Sequence, residues 1–320
     1  MQIAMVISTI LCVTVACADS SNPREETGCD GCERCQDQIW EISTRALGTC
    51  QDLTQVRTES FCFRQFDRNQ GWSCRTAEDF FASDDPCALT TVYVHGNRMT
   101  RSSAIQRGMD WYGYISRCGQ CKQPIRLVIW SWNSDAIYPI SDDIRVKAAR
   151  TETQAYLLAQ FLGEIDPEVR VSLLGYSFGA RVIGGTLHLL GGGELCGRSL
   201  PPGKAQSIAP IRVVMWAAAL KSEWLLPGHH NGQALNVVDQ ILITCNCKDP
   251  VLKRHWLIDG NPNSTALGNT GMDCSNQLGD LRSLIKQINV TDTVGFHHRW
   301  VDYARDAEIR ACTCRYALWR

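Results

Sequence analysis

A chain of 320 residues, 44% hydrophobic and 20% charged, has the composition of an ordinary globular protein with room for a substantial core. Its formal net charge of −1, with no block of like charges, offers no electrostatic case for binding nucleic acid or an acidic membrane surface.

In chain order, the first segment is MQIAMVISTILCVTVACADS, which reads as an export signal. An apolar run from Ile3 to Val15 ends in Ala16-Cys17-Ala18, an A-x-A cleavage pattern before Asp19. The run is shorter than the ~20 residues a membrane span needs, and no later stretch is apolar enough to make an integral span. The expected product is secreted or held in the periplasm or cell envelope. Lipid attachment at Cys17, after Thr14-Val15-Ala16, is the other way to read the same residues. Cysteine content agrees with export: of 17 cysteines, removal of Cys12 and Cys17 with residues 1–18 leaves fifteen, a load suited to an oxidising compartment. Residues 19–36 are polar and Cys-rich without apolar periodicity, and residues 37–320 form the expected main domain.

Short apolar runs recur at 90–96 (TTVYVHG), 125–132 (IRLVIWSW), 169–175 (VRVSLLG), 211–219 (IRVVMWAAA) and 240–246 (QILITCN). Most are apolar on both faces, as strands covered on two sides must be. IWEISTRAL and FCFRQF are earlier strand candidates. Helical spacing appears at Ile105, Met109, Tyr112 and Ile115, and at Leu158, Phe161 and Leu162. A further helix is expected over Leu278, Leu281, Ile285 and Ile288, capped by Ser275. Strand alternating with helix predicts an α/β protein: a mostly parallel sheet covered by helices on both faces.

GYSFGAR, residues 175–181, sits at the seam between VRVSLL and VIGGTLHLL. A Gly-x-Ser-x-Gly pattern between a strand and a helix is a nucleophile elbow: the sharp turn exposes the Ser177 hydroxyl, and the glycines at 175 and 179 relieve the crowding. The helix start presents unpaired N–H groups to developing negative charge. A serine near its ordinary pKa needs a base, and the base an orienting acid, in the order Ser, Asp or Glu, His. Asp249, in CKDPVL just past QILITCN, is the acid expected at the C-terminal edge of the sheet; Glu223 is the substitute. Among seven histidines, His298 of VGFHH is the preferred base over its neighbour His297, because Gly-x-x-His leaves more loop before the imidazole. His95-Gly96-Asn97 closes another strand, where a tight turn aims a backbone N–H at a substrate oxygen. Asn97, or its neighbour Arg98, would then complement the N–H of Phe178 in an oxyanion hole.

These residues resemble the α/β-hydrolase superfamily. More narrowly, VYVHGNRMT, LVIWSW, LLGYSFGARVIGG, LLPG and KDPVLKR are similar to a group of exported bacterial α/β-hydrolases, from about Ile39 to near the C-terminus. The resemblance implies a serine hydrolase of esterase type that cleaves a small-molecule ester or related acyl bond through an acyl-enzyme, without a cofactor. The HGGG turn of many lipases and a long apolar lid are both missing from the sequence. Cys29-x-x-Cys32-x-x-Cys35 has Ile39 where a fourth cluster ligand would fall, so disulfides are expected rather than a metal. Trp130, Trp132 and Trp224 are either an acyl-pocket lining or ordinary core. The competing functional class is a non-catalytic α/β-hydrolase-like scaffold for cell-surface or protein interaction.

Overall fold

The computed structural model describes residues 37–47, 53, 56–118, 123–201, 210–272 and 277–320. The export signal, the Cys-rich segment 19–36, Cys50, Cys121 and Ser275 lie outside them. Among the described residues nine strands form one sheet: β1 (Gln38–Ser43), β2 (Cys62–Asp67), β3 (Gly71–Arg75), β4 (Leu89–Val94), β5 (Ile125–Ser131), β6 (Arg170–Tyr176), β7 (Ile211–Trp216), β8 (Val238–Cys245) and β9 (Ile285–Asn289). Their order is β3-β2-β1-β5-β4-β6-β7-β8-β9. The β1–β2 and β2–β3 pairs are antiparallel, and every other neighbouring pair is parallel. β4 and β5 are buried along their whole length, which explains their unbroken apolar character.

The helices are α1 (Ala77–Phe81), α2 (Arg101–Ile115), α3 (Ile140–Leu162), α4 (Phe178–Leu190), α5 (Leu267–Thr270), α6 (Thr291–Val294), α7 (Trp300–Arg305) and α8 (Ala307–Ala317). They cover both faces of the sheet. On one face α3 and α4 pack together; Gln154 of α3 accepts hydrogen bonds from Thr44 Oγ1 (2.6 Å) and from Trp130 Nε1 of β5 (3.2 Å). On the other, Trp111 of α2 meets Trp216 of β7 edge-on, and Thr313 of α8 accepts from Trp216 Nε1 at 3.1 Å. A Cys118–Cys314 disulfide ties the end of α2 to α8.

The mostly parallel sheet with helices on both faces agrees with the expected fold class, and the seven expected strands are all present. Two elements differ. β3 is additional, pairing with β2 as a hairpin. The helix expected over 278–288 is a short 3-10 turn at Gly279–Leu284 followed by β9. The spacing of Leu278, Leu281, Ile285 and Ile288 suits a helix, but the open edge of β8 supplies backbone partners for Ile285–Asn289, and only one of those five residues is buried. Edge pairing outweighs a weak local pattern. The inward face of α2 is likewise Ala104, Gly108, Trp111, Tyr114 and Ile115; Ile105, Met109 and Tyr112 are half-buried beside it.

Candidate active site

Seven parallel strands end at one edge of the sheet, and the loops leaving four of them meet there. β6 runs straight into α4 through Ser177, whose backbone is held at φ 55°, ψ −118°. This left-handed conformation is costly for any residue with a Cβ and persists only where the surroundings impose it. They do so here: the Ser177 N–H donates to the Trp216 carbonyl at 3.0 Å, and its own carbonyl accepts from Ala180 at 3.0 Å and Ala219 at 3.2 Å. The flanking glycines are required by space. A Cβ on Gly179 would lie 1.9 Å from the Val94 carbonyl oxygen, and one on Gly175 would lie 2.5 Å from the Ala180 Cα.

Asp249, fully buried, leaves the loop after β8, and His298 comes from the loop after β9 and α6. His298 Nε2 lies 3.0 Å from Ser177 Oγ, and His298 Nδ1 lies 2.7 Å from Asp249 Oδ2. The other Asp249 oxygen, Oδ1, accepts from the N–H groups of Val251 (2.9 Å) and Leu252 (3.1 Å), which fixes the carboxylate plane. The two loops are sewn together. Asn246 Nδ2 donates to the Gly295 carbonyl at 2.7 Å, the Cys247 N–H to Thr291 Oγ1 at 3.0 Å, and the Val290 N–H to the Cys245 carbonyl at 2.8 Å.

His297 points elsewhere: it is exposed, with Nδ1 3.6 Å from Asp302. Glu223 stays in its own loop, accepting from Ser222 Oγ at 3.2 Å, and does not reach His298. His188 accepts from the Gln233 N–H, His230 is 3.2 Å from Glu152, and His255 is 3.1 Å from Ser264. The buried Trp130 and Trp132 are core rather than a pocket lining, and half-buried Trp224 lies under the Arg181 guanidinium.

The His95-Gly96-Asn97 turn lies against the elbow; a Cβ on Gly96 would sit 3.2 Å from the Ser177 Cβ. His95 is fully buried and accepts from the Trp132 N–H on Nε2 at 3.2 Å, so its Nδ1 carries the proton and donates to the Gly96 carbonyl at 2.9 Å. Burial lowers its pKa from 6.5 to about 3. Asn97 Nδ2 donates to buried Asp143 at 2.7 Å, and the Asn97 side-chain oxygen accepts from the Arg98 N–H at 2.8 Å. The Arg98 N–H is thereby occupied, whereas the N–H groups of Asn97 and Phe178 have no hydrogen-bond acceptor among the described residues. Burial opposes ionisation of Asp143, but the Ile137 N–H, Lys147 and Asn97 outweigh it and hold the carboxyl below its ordinary range.

Two tyrosines brace the site from behind. Tyr176, inside the Gly-x-Ser-x-Gly stretch, donates its hydroxyl to the His298 carbonyl, and Tyr303 places its hydroxyl 3.5 Å from Asp249 Oδ2. Burial, then the nearby Asp249 charge, pushes both phenols well above their ordinary pKa, so each is a neutral donor. Neither tyrosine, nor Asn246, nor Asp143 carries a signal in a single sequence. Among the described residues, no group of three His, Cys, Asp or Glu side chains is arranged to hold a metal, and no helix is long and apolar enough to cross a membrane. A cavity of about 580 Å³ lined by Arg57, Phe81, Gln160 and Leu200 includes none of the residues around Ser177.

No family model matches the sequence, and no curated protein matches it significantly. Among solved structures, the chain is similar to a lipase-esterase related protein from Clostridium acetobutylicum, at 11% identity and a TM-score of 0.36, over 73% of this chain and 96% of that one.

Proposed function

We propose that this protein is a serine hydrolase of esterase type, built on an α/β-hydrolase fold and working by acyl transfer. The observation that carries the reading is the unbroken chain from Ser177 Oγ to His298 Nε2 (3.0 Å) and from His298 Nδ1 to Asp249 (2.7 Å). In this reading Ser177 Oγ attacks the ester carbonyl carbon while His298 Nε2 takes its proton. Asp249, buried and already accepting two backbone N–H groups, keeps the proton of the neutral ring on Nδ1 and stabilises the imidazolium. The N–H groups of Phe178 and Asn97 hold the carbonyl oxygen as it becomes an oxyanion, each contributing about 3 kcal/mol. Collapse of the tetrahedral intermediate expels the alcohol, protonated by His298. Water then enters with His298 as base, breaks the acyl–Oγ bond, and releases the acid and free Ser177.

The same proposal places the protein outside a reducing cytosol, supported by the A-x-A leader pattern and by the Cys118–Cys314 disulfide. A fluorophosphonate probe tests the chemistry: wild type is labelled, Ser177→Ala is not, and p-nitrophenyl esters are turned over. Folded wild-type protein that takes no label and hydrolyses no ester would leave the non-catalytic scaffold instead.

A further inference from the structure

Six large apolar side chains stand exposed among the described residues: Tyr138, Ile140, Val146, Val251, Trp256 and Phe296. Their placement is not scattered. Tyr138, Ile140 and Val146 follow β5, in the connecting loop and the first two turns of α3. Val251 and Trp256 follow β8, in the Asp249 loop and the 3-10 turn after it. Phe296 follows β9, two residues before His298. β5, β8 and β9 run parallel with β6, so all these segments leave the edge of the sheet where Ser177 lies. Single exposed apolar residues are ordinary on any surface; their concentration on one edge is what marks an interaction face. Tyr138 is 81% exposed and Phe296 70%, so they project outward instead of lining a cleft. Arg98, beside the His95-Gly96-Asn97 turn, lies over the Tyr138 ring at 5.3 Å, which joins this rim to the candidate oxyanion site.

The charges beside the rim favour one kind of partner. In Val251-Leu252-Lys253-Arg254-His255-Trp256, the exposed Val251 and Trp256 bracket Lys253 and Arg254, both exposed and without an ion-pair partner among the described residues. Aromatic and aliphatic side chains alternating with free cations suit a lipid–water boundary, where the rings enter the headgroup layer and the cations meet anionic lipid. The whole-chain charge of −1 conceals this pair by averaging it against acids elsewhere.

We propose that the edge of the sheet around Ser177 docks on an anionic lipid surface and that the substrates are acyl esters presented there. The substrate half of this inference rests on the hydrolase reading; the docking half does not.

Flotation with vesicles of phosphatidylcholine and phosphatidylglycerol tests docking, using full-length protein carrying Ser177→Ala so that turnover plays no part. The expected result is co-flotation that falls more than about tenfold in Lys253→Glu/Arg254→Glu, fades with added salt, and is lost in Tyr138→Ser/Ile140→Ser/Trp256→Ser. Each variant, made also with Ser177 intact, should hydrolyse p-nitrophenyl acetate like wild type, which shows that it is folded. Failure of the Ser177→Ala protein to float, or equal flotation of the apolar triple variant, overturns the proposal. So does a dimer in sedimentation that the triple variant dissolves while vesicles capture nothing, because the face would then be a self-interface. Missing probe labelling alongside intact flotation would instead sink the hydrolase reading and leave docking standing.

Discussion

At the residue scale, the geometry around Ser177 depends on side chains set back from its hydroxyl. His95 is the clearest. Its Nε2 accepts a backbone N–H, so protonation there would set two donors against each other in a buried site. The unfolded chain takes up that proton below pH 6.5, but the folded protein refuses it until about pH 3. His95 therefore adds stability that is complete above pH 6.5 and lost as the pH falls toward 3. Between pH 7 and pH 5 the loss is about 2 kcal/mol. Urea titrations across that range should show it, and His95→Gln should flatten the slope. Tyr176 makes a different contribution: its hydroxyl holds the backbone of His298. Tyr176→Phe keeps the ring and removes one hydrogen bond, worth about 1 kcal/mol. On the proposed mechanism, kcat should fall up to about tenfold with KM little changed. Asp249→Asn, which disturbs the tautomer of His298, should cost about 10⁴ in kcat.

At the element scale, the elbow is a packing solution as much as a chemical one. β6 turns into α4 so tightly that the helix start rests on the end of β4, and Gly179 is where the two backbones meet. A methyl group at 1.9 Å from the Val94 carbonyl oxygen meets backbone, which has no rotamer to yield with. Gly179→Ala should destabilise the fold by more than about 3 kcal/mol, visible as a large drop in Tm and as loss of soluble protein. Gly108→Ala is the instructive contrast. There the added carbon meets the Ile129 side chain at 2.4 Å, which must repack, so a smaller drop is expected.

At the scale of the whole molecule, the last third of the chain supplies both Asp249 and His298, and it must be held against the sheet for them to meet Ser177. β9 and the hydrogen bonds between the two loops do part of this. The Cys118–Cys314 bridge does another part, closing a separation of 196 residues between α2 and α8. The chain-entropy relation for a loop of that size gives about 5 kcal/mol as an upper value. Cys118→Ser/Cys314→Ser should therefore lower Tm by several degrees. Thermal melts with and without reductant provide the check, and reduction should leave the melting point of the double variant less affected than that of wild type.

Local chemistry was legible in the residues themselves. Short apolar runs rich in Val, Ile and Leu point to strands buried on both faces, although α4, buried at every position, shows that a helix can be apolar all round too. Gly-x-Ser-x-Gly points to the sharp turn at Ser177 because only glycine clears it. The order Ser177, Asp249, His298 could be read because each residue sits just beyond a strand-like run or in a glycine-marked loop. Other features exist only once distant segments meet. β9 is a strand because β8 offers it an edge, Tyr176 and Tyr303 matter because the chain folds back onto them, and His95 is kept neutral by burial against Trp132. The apolar rim is of the same kind, since residues more than a hundred positions apart become one face only when parallel strands end together. Sequence alone pointed to seven of the nine described strands and to the tight turn that carries Ser177. Tertiary structure decided what surrounds that serine, because desolvation and hydrogen bonding depend on neighbours in space, and those neighbours are far apart along the chain.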